Sequence, residues 1–200
     1  MIKSLKFPLL LTCLLSICVL FSCTAQKGTG KKAHAAETIR KGQAAKTVVY
    51  LVRHAEKAAS NGNMTDDPVL SEAGRKRTEV LKNQLASVPV AALFATKYKR
   101  TQQTLQPLAT AQKQKVQIYE AQDYAGLAQK IKQEYAGKTV VVAGHSNTVL
   151  PLVEALSGKK PVSEIADFQY DYLFKVTLPN GEEPLVEVQK YGEPSVAPAY

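Results

Sequence analysis

Thr139-Val140-Val141-Val142-Ala143, closed by Gly144-His145-Ser146-Asn147, is a short run rich in β-branched residues that stops at a polar turn. Five such residues are too few for a helix, and the lack of polar alternation fits a strand buried on both faces. Residues 148–156 then place apolar side chains at helical spacing, with Pro151 in the first turn, where a missing N–H costs little. The unit is strand, turn, helix. Working outward, the same alternation repeats. Residues 47–52 (TVVYLV) read as a strand, followed by a loop rich in Asn, Gly and Asp. Val80, Leu81 and Leu85 mark a helix over 71–86, with Ser71 as its N-cap. Residues 88–95 (VPVAALFA) and 116–119 read as strands. Residues 100–112 and 124–135 read as helices, the first expected to kink at Pro107. Beyond 157 the pattern changes: 170–178 and 185–191 read as two strands joined across Pro179-Asn180-Gly181, a hairpin signal. The tail 192–200 is expected to fray. Strands alternating with helices predict an α/β three-layer sandwich, a mainly parallel central sheet flanked by helices, with a C-terminal β-hairpin.

Composition narrows the function classes. The 200 residues carry 26 Lys+Arg against 17 Asp+Glu, a net charge of +9, with 45% hydrophobic residues. That balance excludes a mostly disordered or collagen-like chain. All three cysteines (Cys13, Cys18, Cys23) lie within the first 23 positions, so there is no disulfide framework and no C-x-x-C pair to cage a zinc ion. Residues 24–46 hold Lys27, Lys31, Lys32, Arg40, Lys41 and Lys46 against Glu37 alone. The excess charge therefore belongs to the N-terminal segment and not to a basic face of a domain, which argues against a nucleic-acid partner.

The N-terminus itself reads as an address. Lys3 and Lys6 precede an apolar run over 7–21, short of the roughly 20 residues a membrane span needs. Leu20-Phe21-Ser22-Cys23 resembles the lipobox of bacterial lipoproteins, which implies lipidation at Cys23 and a periplasmic or cell-surface protein anchored to the membrane. A plain secretory signal or an uncleaved anchor is the alternative. The expected organisation is a signal peptide over 1–22, a lipidated Cys23 and basic tether over 23–46, and one domain over 47–200.

In parallel sheets, ligands bind beyond the carboxyl ends of the strands. Three suggestive segments lie there: Arg53-His54-Ala55-Glu56-Lys57, Thr96-Lys97-Tyr98-Lys99-Arg100-Thr101, and Gly144-His145-Ser146-Asn147. The chain has three histidines, and both of those outside the tether, His54 and His145, stand at strand-to-helix turns. Guanidinium forks match phosphate oxygens bidentately, and helix N-termini add backbone N–H donors. A neutral imidazole is also a competent nucleophile. The combination suits a phosphoryl group.

Arg53-His54-Ala55-Glu56 resembles the R-H-G-E signature of the histidine phosphatase superfamily, the phosphoglycerate mutase-like group. Leu70-Ser71-Glu72-Ala73-Gly74 is similar to its L-[ST]-x-x-G element. Thr96-x-x-x-Arg100-Thr101-x-x-Thr104 is similar to S-x-x-x-R-[AT]-x-x-T, and Gly144-His145-Ser146 to G-H-[GS]. The four occur in family order across residues 48–156. The resemblance implies a phosphatase acting through phosphohistidine on His54, with Arg53, Arg100 and His145 completing the phosphate pocket and no metal or cofactor. Ala55 departs from the family glycine. Lys57 stands where Ser or Thr is common and is expected to add to the anion site, as is Ser146. For the general acid, Glu120 is the choice, with Asp123 and Glu56 as alternatives. The implied partner is a small phosphorylated substrate or a phosphoprotein.

Three other readings compete. Gly144-His145-Ser146-Asn147-Thr148 looks like a serine-hydrolase elbow, but no histidine follows it in the required order. A phosphoglycerate mutase-like phosphotransferase would carry longer insertions. A non-catalytic phosphoester-binding lipoprotein would not be expected to keep His54. Specificity falls to the loops 58–69 and 157–171, where Phe168, Tyr170 and Tyr172 either line an apolar wall or pack as core.

Overall fold

The computed structural model describes residues 45–60, 62 and 67–198. The segment expected to be a signal peptide, Cys23 and the expected tether up to residue 44 lie outside the described residues. Six strands form one sheet: β1 (Thr47–Arg53), β2 (Val90–Ala95), β3 (Val116–Ile118), β4 (Thr139–Gly144), β5 (Tyr172–Leu178) and β6 (Leu185–Lys190). Four helices accompany them: α1 (Glu72–Gln84), α2 (Lys99–Ala111), α3 (Tyr124–Glu134) and α4 (Val149–Ser157). The strand order is β3-β2-β4-β1-β5-β6. The first four strands in sequence pair in parallel, while β5 is antiparallel to β1 and β6 to β5.

The alternation of side chains along the central strands fills both layers. Val140 and Val142 of β4 join Val49 and Leu51 of β1 under α3 and α4, where Leu127, Ile131, Leu152 and Leu156 are buried. Val141 and Ala143 face the other way with Val52 and Leu93, under Leu81 and Leu85 of α1 and its C-cap and under Leu105 and Leu108 of α2. This is the predicted three-layer arrangement with its C-terminal hairpin. α2 runs unbroken across Pro107. The first hairpin strand starts at Tyr172, two residues later than the sequence pattern suggests, because Gln169 and Tyr170 are drawn into contacts with Arg53.

The tail corrects an expectation. Instead of fraying directly after β6, it is held as far as Ser195. Tyr191 is buried, and its carbonyl and that of Glu193 accept hydrogen bonds from the buried Arg77 guanidinium at 2.6 and 2.7 Å. Ser195 accepts from the Tyr170 amide at 2.9 Å and donates its own amide to Asp171. Periodicity cannot reveal such bonds, since they are made by irregular backbone to single side chains.

α1 begins as the sequence suggests, with Ser71 Oγ accepting from Gly74 N at 3.1 Å. The same hydroxyl donates to the Glu56 carbonyl, which also accepts from Ser71 N. The helix thereby docks onto the turn that follows β1. A Cβ on Gly74 would stand 2.2 Å from the Glu56 carbonyl oxygen, so only glycine fits. A glycine-to-alanine change inside a helix is ordinarily stabilising by up to about 1 kcal/mol. Here Gly74→Ala is expected to destabilise by about 1–3 kcal/mol through overpacking. Urea denaturation checks the sign, and an alanine variant as stable as the parent would contradict the close approach.

Candidate active site

The strand register brings three turns together. Arg53, the last residue of β1, lies opposite Gly144, the last of β4. Ala95, the last of β2, lies opposite Ala143. One bond extends the ladder past the strands, from His54 N to Gly144 O at 2.9 Å. The His54 and His145 rings consequently meet edge to face, with centroids 5.5 Å apart. A cavity of about 420 Å³ opens above these ends, lined by Arg53, His54, Lys57, Arg100, His145 and Ser146 with neutral residues around them. A larger groove of about 880 Å³ between α1 and α2 contains no histidine and does not touch this chemistry.

Each polar side chain here has a defined hold. His54 Nδ1 lies 2.8 Å from the Ala55 carbonyl oxygen. A carbonyl can only accept, so Nδ1 carries the proton and the Nε2 lone pair is left available. Ala55 N donates to Thr104 Oγ1, which in turn donates to the Arg100 carbonyl, tying the His54 turn to the first turn of α2. Lys113 is the one non-glycine at positive φ among the described residues. Alanine therefore suits position 55 without strain.

His145 is oriented by a relay of hydroxyls. Its Nε2 lies 2.9 Å from Thr96 Oγ1, which lies 2.8 Å from Thr101 Oγ1, which donates to the Tyr98 carbonyl at 2.8 Å. With Thr101 spending its proton on a carbonyl, Thr96 must donate to Thr101 and accept from Nε2–H. The second ring nitrogen, Nδ1, is left for the cavity side. Ser146 takes no part in this relay, so the elbow-like motif lacks the base a serine hydrolase requires. Gly144 is dictated by space: a Cβ there would meet Thr148 Oγ1 at 3.0 Å and Tyr119 Oη at 3.1 Å.

The two arginines are held differently. Arg53 commits Nη1 to the carbonyls of Ala166, Asp167 and Gln169 at 2.8, 2.9 and 3.2 Å. Nη2 lies 3.6 Å from the exposed Asp167 carboxylate, and the buried Nε has no hydrogen-bond partner among the described residues. Arg100 stacks on the Tyr98 ring at 4.5 Å and lies 3.4 Å from Asp67, which also accepts from Lys99 N. Tyr98 in turn stands edge-on to His145 at 5.2 Å.

Of the residues expected from sequence, Arg53, His54, Arg100, His145, Lys57 and Ser146 all line the cavity. Glu120 does not: it is exposed on the loop after β3, and its successors Ala121 and Gln122 form the wall. Asp123 is the N-cap of α3, accepting from Gly126 N. Glu56 turns away to a bidentate pair with Arg77, with three contacts of 2.7–3.0 Å. Sequence reasoning missed Tyr98, Asp67, the Thr96–Thr101 relay and the carbonyl turn at 166–169. The threonines did carry a signal, the T-x-x-x-x-T-x-x-T spacing around Arg100.

The electrostatics follow from placing imidazoles among guanidinium groups under cover. Burial, with Arg53, Arg100 and His145 adding repulsion, lowers the His54 pKa from 6.5 to about 3. Burial, followed by Arg100 and Arg53, lowers that of His145 to about 4, and Asp67 opposes the shift. Both rings are neutral at pH 7, one as a free base and one as an oriented acceptor. An anion entering this cluster meets in Arg53 a cation already largely stripped of water.

Linkage gives this arrangement a cost in acid. Above pH 6.5 the two rings are neutral in folded and unfolded chains alike. Below it the unfolded chain takes up protons that the folded chain refuses, so stability is lost as the pH falls. From pH 7 to 5 each imidazole accounts for about 2 kcal/mol. In urea titrations, His54→Gln is expected to remove about half of the pH dependence shown by the parent. A parallel pair of curves would show that His54 titrates normally.

The family model described as the histidine phosphatase superfamily (branch 1) matches residues 49–123. No curated protein matches the chain. Among solved structures, the mycobacterial glucosyl-3-phosphoglycerate phosphatase superposes with a TM-score of 0.58 at 10% identity, over 74% of this chain and 100% of that one. YhfR of Bacillus stearothermophilus gives 0.59 at 16%, over 72% and 96%. A SixA protein of Agrobacterium tumefaciens, described as a phosphohistidine phosphatase, gives 0.52 at 21%, over 74% and 98%. At these identities the likeness is one of fold. The matched segment holds Arg53, His54 and Arg100, and the sheet brings His145 to them, so the chain is similar to the histidine phosphatase superfamily (branch 1) over residues 49–123 and shares the fold of these neighbours.

Proposed function

We propose that the chain is a metal-independent phosphomonoesterase that works through a phosphohistidine on His54. The family match and the phosphatase neighbours support a phosphatase. The observation that carries the mechanism is the commitment of His54 Nδ1 to the Ala55 carbonyl, which leaves Nε2 as a lone pair in a cavity walled by cations. Nε2 attacks phosphorus, a P–N bond forms, and the bond from phosphorus to the ester oxygen breaks. Arg53, through Nε and Nη2, and Arg100 hold the equatorial oxygens while charge moves across them. Ser146 donates a hydrogen bond, His145 Nδ1, which carries no proton, accepts one from a protonated phosphoryl oxygen, and Lys57 attracts the anion at the rim. The ester oxygen leaves with a proton relayed through water from Glu120, which stands outside the cavity beside its wall residues Ala121 and Gln122. Water then attacks phosphorus, the P–N bond breaks, and inorganic phosphate departs.

The substrate is a small phosphorylated molecule or a phosphoprotein. A cavity of about 420 Å³ leaves room for a phosphoryl group and a modest leaving group. We also propose that the chain is held at a membrane outside the cytoplasm by lipid on Cys23. The support is the lipobox-like Leu20-Phe21-Ser22-Cys23 sequence. Metabolic labelling with a fatty acid is expected to mark the chain and to fail in Cys23→Ala; label retained in that variant would rule the site out.

Kinetics on p-nitrophenyl phosphate test the catalytic assignment. His54→Ala is expected to lose at least 1,000-fold in kcat, and Ser146→Ala to keep most of it. Vanadate should inhibit and EDTA should not. Glu120→Gln is expected to slow alkyl phosphates more than p-nitrophenyl phosphate, whose leaving group needs no proton. Turnover surviving in His54→Ala, or lost to EDTA, would overturn the mechanism.

A further inference from the structure

Behind the two principal site residues stands an aromatic side chain that none of the motifs includes. The Tyr170 ring lies 4.4 Å from the Arg53 guanidinium carbon and 5.9 Å, centroid to centroid, from the His54 ring. It is the one aromatic ring among the described residues that contacts both. We propose that Tyr170 is a positioning residue of the phosphoryl site: its ring face, fixed by the C-terminal tail, aligns Arg53 and shields the His54 imidazole from water. The proposal rests on the reading of His54 as nucleophile, and its test is chosen to stand apart from that reading.

Tyr170 is held from both sides. Its amide donates to Ser195 Oγ at 2.9 Å. The next residue, Asp171, is clamped by Lys190 Nζ at 2.8 Å and by Ser195 N at 3.2 Å, and its carbonyl accepts from Tyr191 N. Just before it, the carbonyls of Ala166, Asp167 and Gln169 share Arg53 Nη1, and the turn is closed by Ala166 N donating to Gln169 Oε1. One end of the guanidinium is therefore tied to backbone while its plane rests on the ring. Cation–π contact of a desolvated arginine adds to this hold. Nε, buried and without a partner among the described residues, and Nη2 are the donors left for a phosphoryl oxygen, and misplacing such a fork by an ångström can cost 100-fold in rate.

The ring also bears on the imidazole. His54 is 4% exposed, and burial is the first cause of its lowered pKa. The groups facing it are Arg53 from β1, Arg100 from α2, His145 from the turn after β4 and Tyr170 from the loop before β5, with Lys57 sharing the cavity. Glu56 is turned to Arg77, Asp67 faces Arg100 and the exposed Asp167 faces Arg53, so the carboxylates nearby sit against the arginines and none contacts the His54 ring. Removing the ring admits water and restores the ease of protonation.

The test is the NMR titration of the His54 imidazole in the full chain, which has only three histidines and is assigned with His54→Gln. In the parent, His54 is expected to stay neutral to about pH 4. In Tyr170→Leu the midpoint should rise by at least one pH unit, while Tyr170→Phe, which keeps the ring, should titrate like the parent. On p-nitrophenyl phosphate, Leu should lower kcat at least tenfold and Phe should restore it. If the leucine variant fails to fold by thermal unfolding, Ser195→Ala loosens the amide anchor and leaves the ring intact. It should then move the His54 midpoint in the same direction by a smaller amount. An unmoved midpoint in a folded Leu or Ser195→Ala variant, or a phenylalanine as damaging as leucine, overturns the positioning role. Activity that survives His54→Ala would instead defeat the nucleophile assignment, with the titration still deciding what Tyr170 does.

Discussion

Everything at this site depends on register. β1, β4 and β2 run parallel side by side and end within one residue of each other, so whatever follows them in sequence is forced to one level of the sheet. Neighbouring strands stand about 4.8 Å apart. Two histidines that begin the turns after adjacent strands therefore meet without a loop having to carry them together. The His54 N to Gly144 O bond is the last rung of that ladder and already the first contact of the cavity. A slip of one residue would turn Val140 and Val142 into the wrong layer and separate the rings at the same stroke.

Around that fixed level the protein arranges cations that are covered and imidazoles that stay neutral. The usual way to satisfy a buried guanidinium is a carboxylate, as Glu56 does for Arg77. The cavity arginines are treated otherwise. Arg53 is tied by three backbone carbonyls, with only the solvent-exposed Asp167 carboxylate near it at 3.6 Å, and Arg100 rests on Tyr98 with a single carboxylate at 3.4 Å. Positive potential is thereby preserved for an incoming anion, while hydroxyls and a carbonyl fix which nitrogen of each ring is free. Orientation comes from neutral dipoles and charge is kept in reserve.

Much of this is legible in the chain because strand and helix periods differ so plainly. TVVVA and TVVYLV could hardly be other than buried strands, and the residues after them had to lie at the sheet's carboxyl edge. Arg53, His54, Arg100 and His145 were accessible to that reasoning. The carboxylates were not: Glu56, Asp123 and Glu120 are equally plausible as letters, and only their partners, Arg77, the α3 N-terminus and solvent, tell them apart. The order of the tail escapes a periodic reading for a related reason. Its order comes from Arg77 and Asp171 reaching irregular backbone and from the Tyr170 amide meeting the Ser195 hydroxyl, all more than twenty residues apart, which leaves no periodic trace.

That stitched tail has a consequence for how the molecule is made. Arg53 takes its three carbonyl partners from 113 to 116 residues further along the chain, and the turn that bears them is buttoned down by Ser195. A ribosome can thus have delivered both histidines and both arginines while the geometry that makes them useful does not yet exist. The turn that sets Arg53 is therefore closed only once the chain has been made as far as Ser195, and a stop before that codon yields the four side chains without the button that holds their turn.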